Sequence, residues 1–198
     1  MAKNAGDVIL RDRMQFTLEA GGSRSTLYGR IDLSSYVDPV NRQGLAVKEV
    51  RFQMRDQQGT LTNTGIWAPV GNWTSPSGVV GDLAGLKLYA TTRAYENANE
   101  VGIASPDVLC VYEIMQATGN SPANEPVSIW IRENWYGPKD LHPEGYTVVS
   151  DLLIGVAADN WVEDGEGEIL EVDIMLIAEP VSISTARMNE ILSQAQDL

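Results

Sequence analysis

The sequence has very few of the side chains on which most catalytic and metal sites depend. It contains one histidine, His142, and one cysteine, Cys110, in 198 residues. A single thiol allows neither an intrachain disulfide nor a Cys-X-X-Cys site, and a zinc ion needs three or four ligands. We therefore expect no metal and no cofactor. Cys110 lies in the apolar run VLCVYEIM and is predicted to be a small buried side chain.

Catalysis by a histidine-activated nucleophile would have to use His142, because the chain has no other imidazole. His142 lies between Leu141 and Pro143 in a predicted loop, and no Gly-X-Ser-X-Gly elbow accompanies it. Glycosidase chemistry needs only two carboxylates, and the sequence neither excludes nor supports it. We predict a protein that is not an enzyme and has no catalytic, cofactor-binding or metal-ligating residue.

Long apolar runs and positive charge are also scarce. The apolar runs are far shorter than the roughly 20 residues of a membrane span, and the N-terminus lacks the plan of a signal peptide. We expect neither a transmembrane segment nor secretion. Lysine and arginine number 14 against 27 carboxylates, which gives a formal net charge of −13. Direct nucleic-acid binding is disfavoured, because each phosphate contact requires a positive charge.

The sequence does have a two-residue apolar period over much of its length. In residues 27–33 and again in 50–54, apolar side chains alternate with polar ones, and a polar connection containing proline joins the two segments. Leu45 and Val47 have the opposite parity from the apolar residues of 50–54. Either both faces are covered there, or a bulge near Lys48 shifts the register.

The same period predicts about eight to nine strands with hardly any helical pattern between them. Such a series fits an all-β, antiparallel two-sheet sandwich or jelly roll. We divide the chain into a flexible N-terminal arm 1–6, a jelly-roll domain 7–180 and a C-terminal amphipathic helix 181–198. The remaining strands are predicted at 8–18, 86–95, 108–115, 127–131, 147–158 and 168–178, and polar or glycine-rich connections lie between them.

One helix is predicted, at the end of the chain. Ser184 can cap it, and Met188, Ile191, Leu192 and Ala195 fall on one side at helical spacing. A helix of about 12 residues is marginal by itself. We expect it to dock on its own sandwich or on a neighbouring subunit.

The acidic segment DNWVEDGEGEILE, residues 159–171, partly matches a calcium loop. With Asn160 in the first place, Asp164 and Glu171 stand fifth and twelfth, but Val162 takes the third place, where a ligand is needed. The flanking segments are predicted strands rather than helices. We interpret the segment as an acidic turn between strands, and loose calcium binding between loops stays open.

Aromatic residues occupy or flank several predicted loops. Exposed rings at the end of a sandwich stack on sugars or form protein contacts, whereas rings that turn inward anchor the loops. The sequence alone leaves both interpretations open. The residues are Trp67, Trp73, Trp130, Trp135 and Trp161, together with Tyr95, Tyr136 and Tyr146.

Several phrases of the chain resemble the single jelly-roll coat proteins of icosahedral, tailless viruses. They are GRIDLSSYVDPVNRQGLAVKEVRFQ, DLLIGVAAD, EILEVDIMLIAE and SISTARMNEILSQAQ. The resemblance implies a virion shell subunit that assembles with copies of itself, with other virion proteins as further partners, and that has no enzymatic role. The low positive charge departs from coat proteins that contact their genome directly. It is easier to understand if a second protein layer or a membrane lies beneath the shell.

Two other classes of β-sandwich or barrel protein are compared with the sequence pattern. A carbohydrate-binding sandwich module would use the loop tryptophans, and this is the alternative function. A cupin-like enzyme would need clustered histidines, which the chain lacks. For a shell subunit assembled in the host cell cytoplasm, we expect contacts through the terminal helix and two long loops. The residues are Met188, Ile191 and Leu192 in the helix, and Trp73, Trp135 and Tyr136 in the loops.

Overall fold

The computed structural model describes residues 6–19, 24–56, 83–119, 128–141, 144–159 and 169–194. Within these ranges the chain forms nine strands and two short α-helices, with a 3-10 turn at Ala98–Glu100. The helices are α1 (Pro138–Leu141) and α2 (Thr185–Gln194). The strands are β1 (Val8–Thr17), β2 (Arg24–Ile31), β3 (Gln43–Asp56), β4 (Leu83–Thr91), β5 (Val108–Gly119), β6 (Ser128–Tyr136), β7 (Tyr146–Val148), β8 (Leu152–Asp159) and β9 (Ile169–Ser182).

The strands form two antiparallel sheets that share one core. The four-stranded sheet has the order β1-β9-β3-β7, and the five-stranded sheet has the order β2-β8-β4-β5-β6. Without β6, this is the strand order of an eight-stranded jelly roll, in which the chain crosses repeatedly between the sheets. The sixth strand is an addition at one edge. The predicted fold class, an antiparallel jelly roll with a short C-terminal helix, is confirmed.

The core lies between the inward faces of the two sheets, as the two-residue period predicts. Leu45 and Leu176 from the four-stranded sheet, and Leu88 and Leu152 from the five-stranded sheet, are all fully buried in it. The two-residue apolar period therefore fixes the register of each strand, because a slip of one residue would turn these side chains outward.

Strand β3 contains the bulge that the sequence left as one of two alternatives. Its pairing with β9 shifts register between Val47 and Glu49, so Lys48 is the extra residue. Val47 and Val50 are both fully buried although they differ in parity. The bulge therefore keeps the apolar residues on both sides of it facing the core.

The fourth strand carries a residue that the sequence pattern misplaced. The alternation of residues 86–95 puts Tyr89 on the same face as Lys87, the polar face, but Tyr89 is fully buried. The connection 92–107 folds back over this outer face and forms a second apolar cluster with Tyr89, Val101 and Val111. The prediction failed because a polar-looking connection supplies a cover that periodicity does not reveal.

Two further boundaries differ from prediction. Residues 133–136 were predicted in a long loop but belong to β6, which pairs with β5 along its length. The predicted strand 147–158 is two strands in different sheets, β7 and β8, with a break at 149–151. At the break the Asp151 carboxylate accepts the Leu33 backbone N–H at 3.0 Å, which fixes the crossing point between the sheets.

The last strand runs to Ser182, four residues beyond the predicted end. Pro180 is tolerated there because β9 is flanked on one side only: it pairs with Leu45 of β3, while β1 begins opposite Ala178. The described helices include none that is long and apolar enough to cross a membrane.

The terminal helix α2 begins directly after Ser184, the residue predicted to cap it, while residues 181–182 of the predicted helical segment 181–198 belong to β9. The Ser184 hydroxyl accepts the Arg187 backbone N–H at 3.3 Å, as an N-cap does. Met188 is 4% exposed and packs with Val149 and Ile183 at the end of the sandwich, and Ile191 lies partly buried beside them. Of the two predicted docking modes, the helix packs on its own sandwich.

Candidate assembly surfaces

The six predicted contact residues lie in different parts of the molecule. Trp135 and Tyr136 are at the end of β6 and not in a loop, while Met188 is buried in its own subunit. Leu192 belongs to α2. The sixth contact residue, Trp73, lies outside the described residues. So do His142, Trp67 and Trp161, and residues 160–168 of the acidic segment.

Trp135 closes a gap between the two sheets. Strand β7 pairs with β3 only at residues 45–47, so the rest of β3 has no neighbour on that side among the described strands. Across the gap the Trp135 ring meets Phe52 of β3 edge to face, with centroids 6.3 Å apart. It also meets Tyr112 of β5 at 5.8 Å. Trp135 remains 48% exposed, so it both anchors the strand and presents an aromatic surface.

Strand β6 forms one edge of the molecule. Within the described chain it pairs with β5 alone, and Arg132, Glu133 and Asn134 are exposed on it. Natural proteins often protect such edges with lysine or proline, and β6 contains neither. Among the described strands the outer backbone of β6 has no partner, and the exposed charges of Arg132 and Glu133 are its protection against unwanted pairing.

The connection 92–107 is fixed to the sheet beneath it. The Tyr89 hydroxyl donates to the Tyr28 oxygen at 2.7 Å, and the Tyr28 hydroxyl donates to the Tyr95 carbonyl at 3.0 Å. The Tyr95 N–H donates back to the Tyr28 oxygen at 2.7 Å. Burial raises the pKa of Tyr89. Tyr95 is therefore an anchor of the connection, whereas Ile103 at its outer side is 73% exposed.

Gly155 lies beneath this tyrosine network. It pairs with Tyr28 on one side and Tyr89 on the other. A Cβ atom at position 155 would overlap the Tyr89 ring. The absent side chain thus makes the space in which the two tyrosine rings meet edge to face at 5.8 Å.

The outer face of the four-stranded sheet carries a concentration of arginines. The register places three rows side by side across β1, β9 and β3. We call this surface, together with Glu49 and Ile9 at one end, the arginine face. Its rows are Arg11–Met175–Arg51, Arg13–Asp173–Gln53 and Gln15–Glu171–Arg55.

Ion pairs occupy one end of the arginine face. The Arg13 guanidinium donates to both Asp173 oxygens, at 2.5 and 3.1 Å, and lies 3.5 Å from Glu171. Arg55 approaches Asp173 at 3.6 Å. The hydrogen bond from Arg13 lowers the pKa of Asp173, against the opposing effect of partial burial. Glu171, the twelfth place of the calcium pattern, is therefore a buried strand residue that is paired with Arg13.

The other end of the arginine face is apolar and cationic. Ile9 is 52% exposed beside Ile177, and Met175 is half-buried between Arg11 and Arg51. Arg51 pairs with Glu49 on its own strand at 2.6 Å, whereas Arg11 forms no ion pair with another described residue. The sequence shows Arg11 on the outward parity of β1, but the opposing arginines of β3 could be found only from the register.

A cavity of about 1040 Å³ lies between α2 and the β7 edge. Its charged lining is engaged internally, since the Lys48 amine binds Asp7 at 2.6 Å and Glu179 at 2.8 Å. These hydrogen bonds, the one with Asp7 first, raise the pKa of Lys48. The other cation in the described lining, Arg187, pairs with Glu190 at 2.7 Å, so each described cation of the cavity already has an ion-pair partner.

The predicted buried thiol is found where expected. Cys110 is fully buried in the central strand β5, and burial raises its pKa to about 12. Among the described residues, no three His, Cys, Asp or Glu side chains are grouped so that they could hold a metal ion.

No family model matches the chain, and no curated protein does. Solved structures similar to it include a decameric BFDV capsid protein, with 9% sequence identity, 89% of this chain and 99% of that chain covered, and a TM-score of 0.34. A second is VP1 of Trichodysplasia spinulosa-associated polyomavirus in complex with 3'-sialyllactose, with 10% identity, coverages of 90% and 97%, and a TM-score of 0.38. The jelly-roll assignment rests on the strand order above and not on these likenesses.

Proposed function

We propose that the chain is a structural subunit of a virion shell and assembles with copies of itself. The observation that carries the proposal is the jelly-roll strand order, β1-β9-β3-β7 against β2-β8-β4-β5, with one added edge strand. Jelly rolls serve as viral coat, lectin and cupin domains, so the fold narrows the choice without making it. The resemblance of several sequence phrases to coat proteins favours the first of the three.

The chemistry of the chain supports a role in contact rather than turnover. The sequence has one histidine, and its one cysteine is buried with a raised pKa, so the usual nucleophile and metal-ligand sets would have to be built from other groups. The net charge of −13 opposes direct binding of a genome. In the proposed virion, another layer lies between this shell and the nucleic acid.

The aromatic residues that suggested a glycan-binding module are partly committed to the fold. The Trp135 ring makes edge-to-face contacts with Phe52 and Tyr112, and the backbone of Tyr95 is hydrogen-bonded to Tyr28. The exposed part of Trp135 fits a protein contact at the β6 edge, because large aromatic rings supply contact area at low entropic cost.

Electron microscopy and sedimentation velocity of the purified full chain test the proposal. A shell subunit forms discrete capsomers or closed particles whose amount rises with protein concentration. A chain that stays a 21.6 kDa monomer at every concentration and salt level contradicts it. A monomer that binds a glycan and loses that binding with Trp135→Ala would establish the alternative function instead.

A further inference from the structure

The arginine face is unlike the rest of this acidic molecule. It gathers four of the fourteen basic residues, and they stand against Glu49, Glu171 and Asp173 on the face and Asp12 in the groove beside it, which makes this surface neutral. The chain as a whole carries −13. The remainder of the molecule is therefore strongly negative, and this face is not.

Assembly of such a chain has to overcome repulsion between its copies. Like charges that are brought together at an interface are costly, and a contact is favoured where a positive patch meets a negative one. A neutral face with two exposed arginines at one end is the surface of this chain on which a carboxylate of another copy meets the least repulsion and finds a positive group.

The apolar end of the arginine face has the composition of a contact surface. Methionine and arginine are enriched in protein interfaces, and here Met175 is flanked by Arg11 and Arg51, next to the exposed Ile9. A groove of about 850 Å³ runs along these rows. Arg11 forms no ion pair with another described residue, and Arg51 is paired with Glu49 but leaves 60% of its side chain exposed, against 47% for Arg13 and 33% for Arg55. Arg11 and Arg51 are therefore the guanidinium groups of this face most open to a partner.

We propose that the apolar end of the arginine face docks an acidic surface of a second copy of this chain, with Arg11 and Arg51 as the anchoring charges on either side of Met175. The inference rests on the proposed function, because it names the surface through which copies meet. A nucleic acid fits less well, because its closely spaced phosphates would also meet Glu49 and Asp173, whereas a folded protein surface can place single carboxylates opposite Arg11 and Arg51.

The test compares two double variants of equal charge. Arg11→Glu with Arg51→Glu reverses both anchors, and Arg93→Glu with Arg187→Glu makes the same change at two exposed arginines outside the face. Circular dichroism and thermal unfolding first establish that each variant is folded. Sedimentation equilibrium over a range of protein and salt concentrations, together with electron microscopy, then gives the oligomeric state.

We expect the face variant to need at least about tenfold more protein than the wild type for half-association, because interface arginines are frequent hot spots. The control should stay within about threefold, and wild-type association should weaken with salt.

Equal losses in both variants, or normal association of the face variant, would overturn the inference while leaving the shell function intact if wild-type particles form. Wild-type dimers without particles, if sensitive to the face variant alone, support the inference and contradict the shell. A wild type that is always monomeric contradicts both.

Discussion

Trp135 and Phe52 meet edge to face between the two sheets, with ring centroids 6.3 Å apart, although they belong to different sheets. This contact is needed because β7 covers only three residues of β3, so the added strand β6 has to close the gap. The strand outside the eight-stranded plan thereby contributes to the core.

Replacing Trp135 with alanine should destabilise the fold by about 1–2 kcal/mol, since half of the ring and two aromatic contacts are lost. Trp135→Phe keeps an aromatic edge and should recover part of the loss. Urea unfolding followed by circular dichroism measures both. Equal stability of the alanine variant and the wild type would show that the gap needs no ring.

A methyl group at position 155 should cost about 1–3 kcal/mol, because it would overlap the buried Tyr89 ring. Gly85→Ala is the matched control: Gly85 also lies in a strand of this sheet, and a Cβ atom there would have no neighbour within 4 Å. Thermal unfolding of both variants gives the comparison. A Gly155→Ala protein as stable as Gly85→Ala would mean that Tyr89 moves aside freely.

The Cys110 thiol should resist labelling in the folded protein. It is fully buried and its pKa is raised to about 12, so almost no thiolate is present at pH 8 and no reagent reaches it. Labelling with a chromogenic disulfide should become fast only in denaturant. Rapid reaction of the native protein at pH 8 would indicate opening of β5.

Acid should weaken the four-stranded sheet through Asp173. Its folded-state pKa is lowered, first by the hydrogen bond from Arg13, so its contribution is present above the unfolded-state value near 3.8. That contribution is lost as the pH falls through the lower folded-state pKa. Unfolding midpoints measured from pH 7 to pH 2 should therefore decrease less steeply below pH 4 in Asp173→Asn. Parallel curves for the two proteins would exclude this carboxylate as a source of acid sensitivity.

Truncation of Met188 to alanine should lower the stability of the monomer by roughly 2 kcal/mol, because the side chain fills a small buried cluster with Val149 and Ile183. The exposed neighbour supplies the control, Asn189→Ala, for which little change is expected. Chemical denaturation measures the difference. Loss of assembly without loss of stability in Met188→Ala would instead place the helix at a subunit contact.

The parity of apolar residues predicted most of the sandwich because each strand has one buried face. The change of apolar parity within β3 left a bulge near Lys48 as one of two alternatives, and the register shift with β9 decides for it. Parity failed where the cover comes from elsewhere in the chain. Tyr89 is buried by the connection 92–107, and residues 133–136 extend β6 because β5 is there to pair with them.

The candidate surfaces were harder to predict than the fold. Arg11 and Arg13 alternate visibly in the sequence, but their grouping with Arg51 and Arg55 depends on β9 lying between β1 and β3. No local pattern in the sequence encodes which strands become neighbours. The helix contacts stay a prediction: Met188 is buried in its own subunit, but a helical apolar stripe does not tell whether its own subunit or another one covers the rest of it.

The position of β9 also determines when the four-stranded sheet can be completed during synthesis of the chain. Because β9 is inserted between β1 and β3, the four-stranded sheet stays divided until residues 169–182 have left the ribosome. Until then β1 lacks its described partner and β3 can pair only with β7, at residues 45–47. Such long-range pairing forms late in folding. Synthesis thus delays completion of the arginine face, which all three of these strands build. An incomplete chain therefore lacks the surface that we propose binds a second copy.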